Sequence, residues 1–282
     1  AIPAGSRLRR RSAIGFLVLT GIIWSTGGFM IKLIPWPPLV IAGLRSGIAA
    51  IVIYLYDRPQ KLPVGKYTLG GAVAYAVMVI FFVLANKLTT AGNTILIQYT
   101  APVYVALFGY SFLGEKAGFK DWITILIILT GLLLFFLDEL SGTSLWGNIA
   151  ALFSGFGFAG LILFLRKQKH GRPIDSVLLG NLLTFSLCTP FIVQDVTFEA
   201  DVWLKIIFLG IIQLGLAYIL FTIAIKHVTA LDAVIYPVVE PICNPIFAYI
   251  FLNETLGFFA RIGGLLVLAG VIGRGVLQIK KP

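Results

Sequence analysis

Residues 88–115, LTTAGNTILIQYTAPVYVALFGYSFLGE, and residues 227–254, HVTALDAVIYPVVEPICNPIFAYIFLNE, are one kind of segment met twice, 139 positions apart. That single offset pairs Thr90 with Thr229, Ala91 with Ala230, Pro102 with Pro241, Leu113 with Leu252 and Glu115 with Glu254. Followed outward, it also pairs Phe82 with Phe221, Ala85 with Ala224, Lys87 with Lys226 and Gly131 with Gly270. Earlier residues match more loosely, as Gly15 with Gly147 and Gly43 with Gly180 at slightly different offsets. Each copy is an apolar run longer than the ~20 residues that cross a hydrocarbon layer as a helix.

The rest of the chain is of the same character. Apolar side chains make up 59% of its 282 residues and charged ones 12%, with a mean hydropathy of +0.97. That is more apolar surface than a soluble core of this size hides, so lipid is the expected solvent. The net charge of +10 does not point to nucleic acid, because the basic residues sit in short clusters between apolar runs. Cys188 and Cys243 both lie inside apolar runs and read as small buried hydrophobes, not as a disulfide or thiolate metal site.

Apolar runs between charged or Pro/Gly punctuation predict ten spans near residues 13–34, 38–56, 67–86, 91–113, 121–137, 145–165, 174–194, 203–224, 229–252 and 257–277. Residues 6–34 imitate a signal peptide, but the run is longer than an h-region and similar runs follow, so it is read as a retained first helix. Placing the N-terminus in the cytoplasm puts Arg7, Arg9, Arg10, Arg11, Arg58, Lys61, Lys66, Lys116, Lys120, Arg166, Lys167, Lys169, Arg172, Lys226, Arg274, Lys280 and Lys281 inside. Only Lys32, Lys87, Lys205 and Arg261 remain outside. Basic residues in short loops resist translocation, so both termini are expected in the cytoplasm of a cell (inner or plasma) membrane protein. Five helices per half is an odd number, so the second half is expected to enter the membrane in the opposite sense. The fold class that follows is all-α integral membrane: ten transmembrane helices, two inverted five-helix repeats, and a central cavity. Inverted repeats with a site near the bilayer midplane are a property of secondary transporters.

Ionisable groups at membrane depth are costly without a partner or water, so each is a functional candidate. Glu240 lies eight residues beyond Asp232 in the ninth span, about 12 Å deeper at ~1.5 Å per residue. Asp232, Tyr236, Glu240 and Asn244 recur every four residues and form a drifting polar stripe. Glu240 and Asp232 are the proton-coupling candidates; Glu240 also suits a counter-ion for a cationic or zwitterionic solute, or a structural carboxyl beside Pro241. Its repeat mate is Ala101, so the charge is asymmetric. Trp24, Ser25, Tyr75, Gln98, Tyr99, Gln213, Tyr236, Glu240 and Asn244 are the substrate-binding candidates, with Tyr218 beside them. Arg45, Pro102 and Pro241 are structural or gating candidates: Arg45 as a buried pair, a snorkelling anchor or a bidentate carboxylate contact, the prolines as matched kinks. Asn181 is expected to bridge helices. The Gly-rich run 155–160 lacks the strand and Lys-Ser/Thr of a phosphate loop and reads as close helix packing.

Several strings also resemble the EamA family of the drug/metabolite transporter superfamily. They are Gly21-Ile22-Ile23-Trp24-Ser25, Ile31-Lys32, Pro37-Pro38 and Leu44-Arg45, then Leu88-Thr89-Thr90-Ala91 leading to Gln98-Tyr99-Thr100-Ala101-Pro102. Phe112-Leu113-Gly114-Glu115 and Phe251-Leu252-Asn253-Glu254 resemble the signature closing each half, with Asn253 where the family usually has Gly. The resemblance implies an N-terminal tail at 1–12, five-helix repeats at 13–137 and 145–277, and a C-terminal tail at 278–282. It also implies a central cavity and, in many members, export of amino acids or related metabolites.

The functional expectation is therefore a secondary-active transporter, in the exporting direction, of amino acids or related small metabolites by alternating access. The expected partners are that solute, the lipid bilayer and, as a candidate coupling ion, protons; no nucleic acid, metal or cofactor is expected, and a monomer is compatible with the reading. The alternatives are a uniporter or importer of a small organic cation, and a non-transport membrane sensor or enzyme. An enzyme is disfavoured because His170 and His227, the sole histidines, both fall in loops and assemble no catalytic constellation.

Overall fold

The computed structural model describes residues 4–59, 64–137, 144–195, 199–243 and 257–279, and among them every regular element is helical. We number the helices α1 (Ala4–Leu33), α2 (Pro38–Asp57), α3 (Lys66–Leu88), α4 (Ala91–Leu113) and α5 (Phe119–Phe135) in the first half. In the second half come α6 (Leu145–Lys167), α7 (Pro173–Asp195), α8 (Ala200–Ala224), α9 (230–243) and α10 (Phe258–Ile279). Eight of these are long and apolar enough to cross a membrane. The other two are α5, with 17 residues, and α9, which is described only as far as residue 243. The ten helices expected from the sequence are thus found among the described residues, eight of them as candidate membrane spans. Asn244 and the second closing signature, 251–254, lie outside the described residues.

Repeated sequence gives repeated local structure. Thr90 Oγ1 accepts the N–H of Asn93 at 3.1 Å and starts α4, and its repeat mate Thr229 accepts the N–H of Asp232 at 3.1 Å and starts α9. Each satisfies a donor that a helix start leaves unpaired. The matched prolines interrupt both helices. Pro102 has no N–H for the Gln98 carbonyl, and α4 breaks at Tyr99 and Thr100, where the backbone leaves helical ψ (11° and −11°). Pro241 likewise frees the Pro237 carbonyl, and α9 tightens to a 3₁₀ turn at Tyr236–Val238. The span expected over 91–113 is the one candidate span Ala91–Leu113, broken at Pro102, where the sequence places a kink. α8 departs too, widening to a π-helix over Leu209–Leu216, which periodicity alone does not signal.

The most extensive helix contacts run between the halves: α3 against α6, α2 against α7, and α5 against α10. Large apolar side chains such as Ile51, Leu126, Trp146 and Leu265 face outward, as expected where lipid is the solvent. Many polar side chains are instead drawn inward, and two of their groupings bear on function, one at an end of the bundle and one in its middle.

Candidate functional site

The end of the bundle that carries most of the basic residues is held by ion pairs. Gly114 ends α4 in the left-handed conformation (φ 75°) that favours glycine, turning Glu115 back over the bundle. The two Glu115 oxygens accept from Arg166 Nε at 2.7 Å and from the Ala230 N–H at the start of α9 at 2.8 Å. Arg166 also donates to the carbonyls of Ile225 and Lys226, at 3.0 and 3.2 Å. Arg274 bridges two carboxylates, Asp232 at 2.7 Å and Asp121 at 2.6 Å, and Arg10 reaches Asp232 at 3.1 Å. Arg172 pairs with Asp57 and with Asp175; the hydrogen bond to Asp175 holds the Arg172 guanidinium above its ordinary range. These contacts tie α1, α4, α5, α6, α9 and α10 together at one end.

The middle of the bundle is arranged differently. A cavity of ≈ 40 Å³ lies where α1, α2, α3, α4, α6, α8 and α9 meet, with Trp24, Arg45, Gln98, Gln213, Tyr218 and Glu240 among its lining residues. At roughly 10–15 Å³ per water it has room for about three water molecules. Glu240, 5% exposed, accepts from or donates to the Tyr99 hydroxyl at 2.8 Å, and the same hydroxyl lies 2.9 Å from the Pro237 carbonyl that Pro241 leaves free. Gln98 donates to Ser154 Oγ at 2.8 Å, and Ser154 in turn donates to the Met78 carbonyl at 3.0 Å, so its amide is fixed in orientation. Gln213 projects from the π-helical turns of α8 against Gly27 of α1, where an added Cβ would lie 2.5 Å from Gln213 Nε2 and push the amide aside. Gln213 Oε1 accepts from Arg45 at 3.3 Å. The Trp24 ring packs among Phe158, Tyr218 and Phe221 at centroid distances of 5.7, 5.1 and 5.5 Å, leaving an aromatic wall on one side.

The structure therefore brings together Trp24, Gln98, Gln213 and Glu240 of the substrate-binding candidates, with Arg45 beside them, and places Tyr99 directly behind Glu240. The others sit elsewhere. The Ser25 hydroxyl donates to the Ile22 carbonyl one turn back at 2.6 Å. Tyr75 donates to Asn181 Oδ1 at 3.0 Å, bridging α3 and α7. Tyr236 is buried on the 3₁₀ turn between Asp232 and Glu240, and Asp232 belongs to the ion-paired end. Asn244 lies outside the described residues. Sequence reasoning missed Ser154 and Phe158: a single serine or phenylalanine in a Gly-rich helix carries no signal of its own.

A family profile described as the EamA-like transporter family matches residues 11–137 and again residues 145–274. The chain belongs to the EamA-like transporter family. Similar proteins include an uncharacterized transporter of Archaeoglobus fulgidus, 27% identical over alignments covering 90% of this chain and 94% of that protein. Another is the uncharacterized transporter YoaV of Bacillus subtilis, 25% identical, covering 83% and 86%. A solved crystal structure superposes on 96% of this chain and 100% of its own with a TM-score of 0.80 at 19% identity, a likeness of fold. With its apolar helices and these relatives, the EamA-like chain is a multi-pass membrane transporter.

Proposed function

We propose that this EamA-like chain is a secondary-active exporter of amino acids or related small metabolites, working by alternating access around the cavity between Trp24 and Glu240, with protons as the coupling ion. The observation that carries the reading is the site itself: a buried carboxyl with no basic side chain within ion-pair distance among the described residues, in a cavity built from both halves.

Counting hydrogens supports protons as the coupling ion. Tyr99 has one hydroxyl hydrogen and two oxygens in reach, Pro237 O at 2.9 Å and Glu240 Oε2 at 2.8 Å. With Glu240 protonated, its O–H donates to Tyr99 and Tyr99 donates to Pro237. With Glu240 ionised, Tyr99 turns its hydrogen to the carboxylate. One rotating hydroxyl hydrogen therefore serves both protonation states without moving a heavy atom.

Alternating access rests on the two halves being related by a two-fold axis in the membrane plane. The repeat offset supports this, as does the pairing of α2 with its repeat mate α7 and of α5 with α10. A cavity of ≈ 40 Å³ is too small for an amino acid, so solute binding requires the halves to part. The arginine-rich end would face the cytoplasm of the cell membrane, with both termini inside.

The test is uptake of labelled amino acids and organic cations into proteoliposomes of the purified chain. Saturable flux above protein-free vesicles is expected for at least one amino acid; flux of cations alone would replace the substrate class, and flux of no solute would overturn the reading.

A further inference from the structure

Among the described residues, Arg45 is a buried cation with no anion at ion-pair distance. It is 1% exposed in the middle of α2, so its head does not snorkel to an interface. Among the described residues no carboxylate lies within 4.0 Å of it; the ion pairs there gather at the helix ends. Of its five N–H groups, one donates to Gln213 Oε1 at 3.3 Å, long for a charged donor, and Nε is buried with no acceptor at all. Among the described residues, then, Arg45 is neither a member of an ion pair nor a snorkelling anchor. A guanidinium presents paired donors at the spacing of a carboxylate's two oxygens, and Arg45 lines the same cavity as Glu240 and Trp24.

We infer that Arg45 is the specificity-determining residue that receives the solute's carboxylate, and that the cavity selects α-amino acids, whose carboxylate meets Arg45 while the ammonium group lies toward Glu240 and the Trp24 ring. This rests on the transport reading of the cavity and deepens it. The charge pattern makes the case: one cavity holds a cation and an anion that do not pair with each other, the complement of a dipolar ion. A simple organic cation would satisfy Glu240 and Trp24 but would meet the uncompensated charge of Arg45. Gln213 is the positioning residue: seated against Gly27, its carbonyl holds the guanidinium by one edge and leaves Nε unengaged.

The experiment uses the full chain purified in detergent, with thermal unfolding followed against rising concentrations of each proteinogenic L-amino acid and of its carboxamide, which keeps the ammonium and loses the anion. In wild type, at least one amino acid raises the melting temperature, and its amide requires about tenfold higher concentration or more, the size expected for loss of a charge-assisted hydrogen bond. In Arg45→Gln the acid and the amide become equivalent. Arg45→Lys, which keeps the charge and loses the two-pronged geometry, retains a reduced preference and serves where Arg45→Gln does not fold. Equal potency of acid and amide in wild type, an acid preference that survives Arg45→Gln, or no amino acid that shifts wild type would each overturn the assignment. Proteoliposome flux separates the two claims. Acid-selective binding without flux would refute transport and leave Arg45 as a carboxylate site, whereas flux indifferent to the carboxylate would keep transport and refute Arg45.

Discussion

Arg274 and Arg45 are both buried guanidinium groups inside the same bundle, and their surroundings are opposite. Arg274, with 4% of its side chain exposed, lies between Asp232 at 2.7 Å and Asp121 at 2.6 Å. Arg45 meets one amide oxygen at 3.3 Å and buries an Nε with no acceptor. Removing a charge from water costs several kcal/mol that a close counter-charge must offset. At the arginine-rich end the counter-charges are supplied by the chain. In the mid-bundle cavity no described residue supplies one to Arg45 or Glu240, and on the proposal above the solute does. Paired charge fastens the bundle; unpaired charge awaits a ligand.

The sharpest way to break this comparison is Asp232→Asn. Among the described residues it leaves Arg274 with one carboxylate and Arg10 with none, and removal of one partner from a buried pair costs about 3–5 kcal/mol; a large fall in melting temperature in detergent is expected, and an unchanged one would deny the paired end its structural role. A second, smaller effect is expected at the cavity wall. Gly27→Ala sets a methyl group against Gln213, an overpacking that costs about 1–3 kcal/mol and, by displacing the amide that positions Arg45, weakens amino-acid binding in the same titration. Tyr99→Phe leaves the Pro237 carbonyl and Glu240 without their shared partner, a loss of about 1–3 kcal/mol. Its flux is expected to lose its dependence on the pH gradient before it loses its saturability. The smallest effect sharpens the contrast most. Arg45→Gln removes a buried charge that has no ion partner among the described residues, so its stability is expected to stay within about 1 kcal/mol of wild type or to rise, where that of Asp232→Asn falls.

The helices and their two proline breaks were legible because they are local. The 139-residue offset aligned Thr90 with Thr229 and Pro102 with Pro241, and each pair does the same work in its own half, a hydroxyl closing a helix start and a proline releasing a carbonyl. The stripe from Asp232 to Asn244 was legible only in part. A spacing of four drifts around a 3.6-residue helix, and the 3₁₀ turn at Tyr236–Val238 overwinds it further. Asp232, about 12 Å nearer the helix start, meets Arg10 and Arg274 at the bundle end, and Glu240 alone of the described stripe lines the cavity. Nothing local announces those partners: Arg10 is 222 residues from Asp232 and Arg274 is 42. The isolation of Arg45 was illegible for the same reason. Whether a buried charge is paired depends on which distant side chains the fold carries to it, and Gln213 reaches it from 168 residues away on a π-helical turn with no periodic signature.

The central claim is that solute and proton share the cavity at Glu240. Its most direct measurement is amino-acid flux in proteoliposomes with and without an imposed pH gradient, for wild type and Glu240→Gln, alongside the melting temperature of each. Flux that dissipates the gradient in wild type and is lost in a Glu240→Gln protein of unchanged stability is the predicted result. Gradient-coupled flux that persists in Glu240→Gln would contradict it.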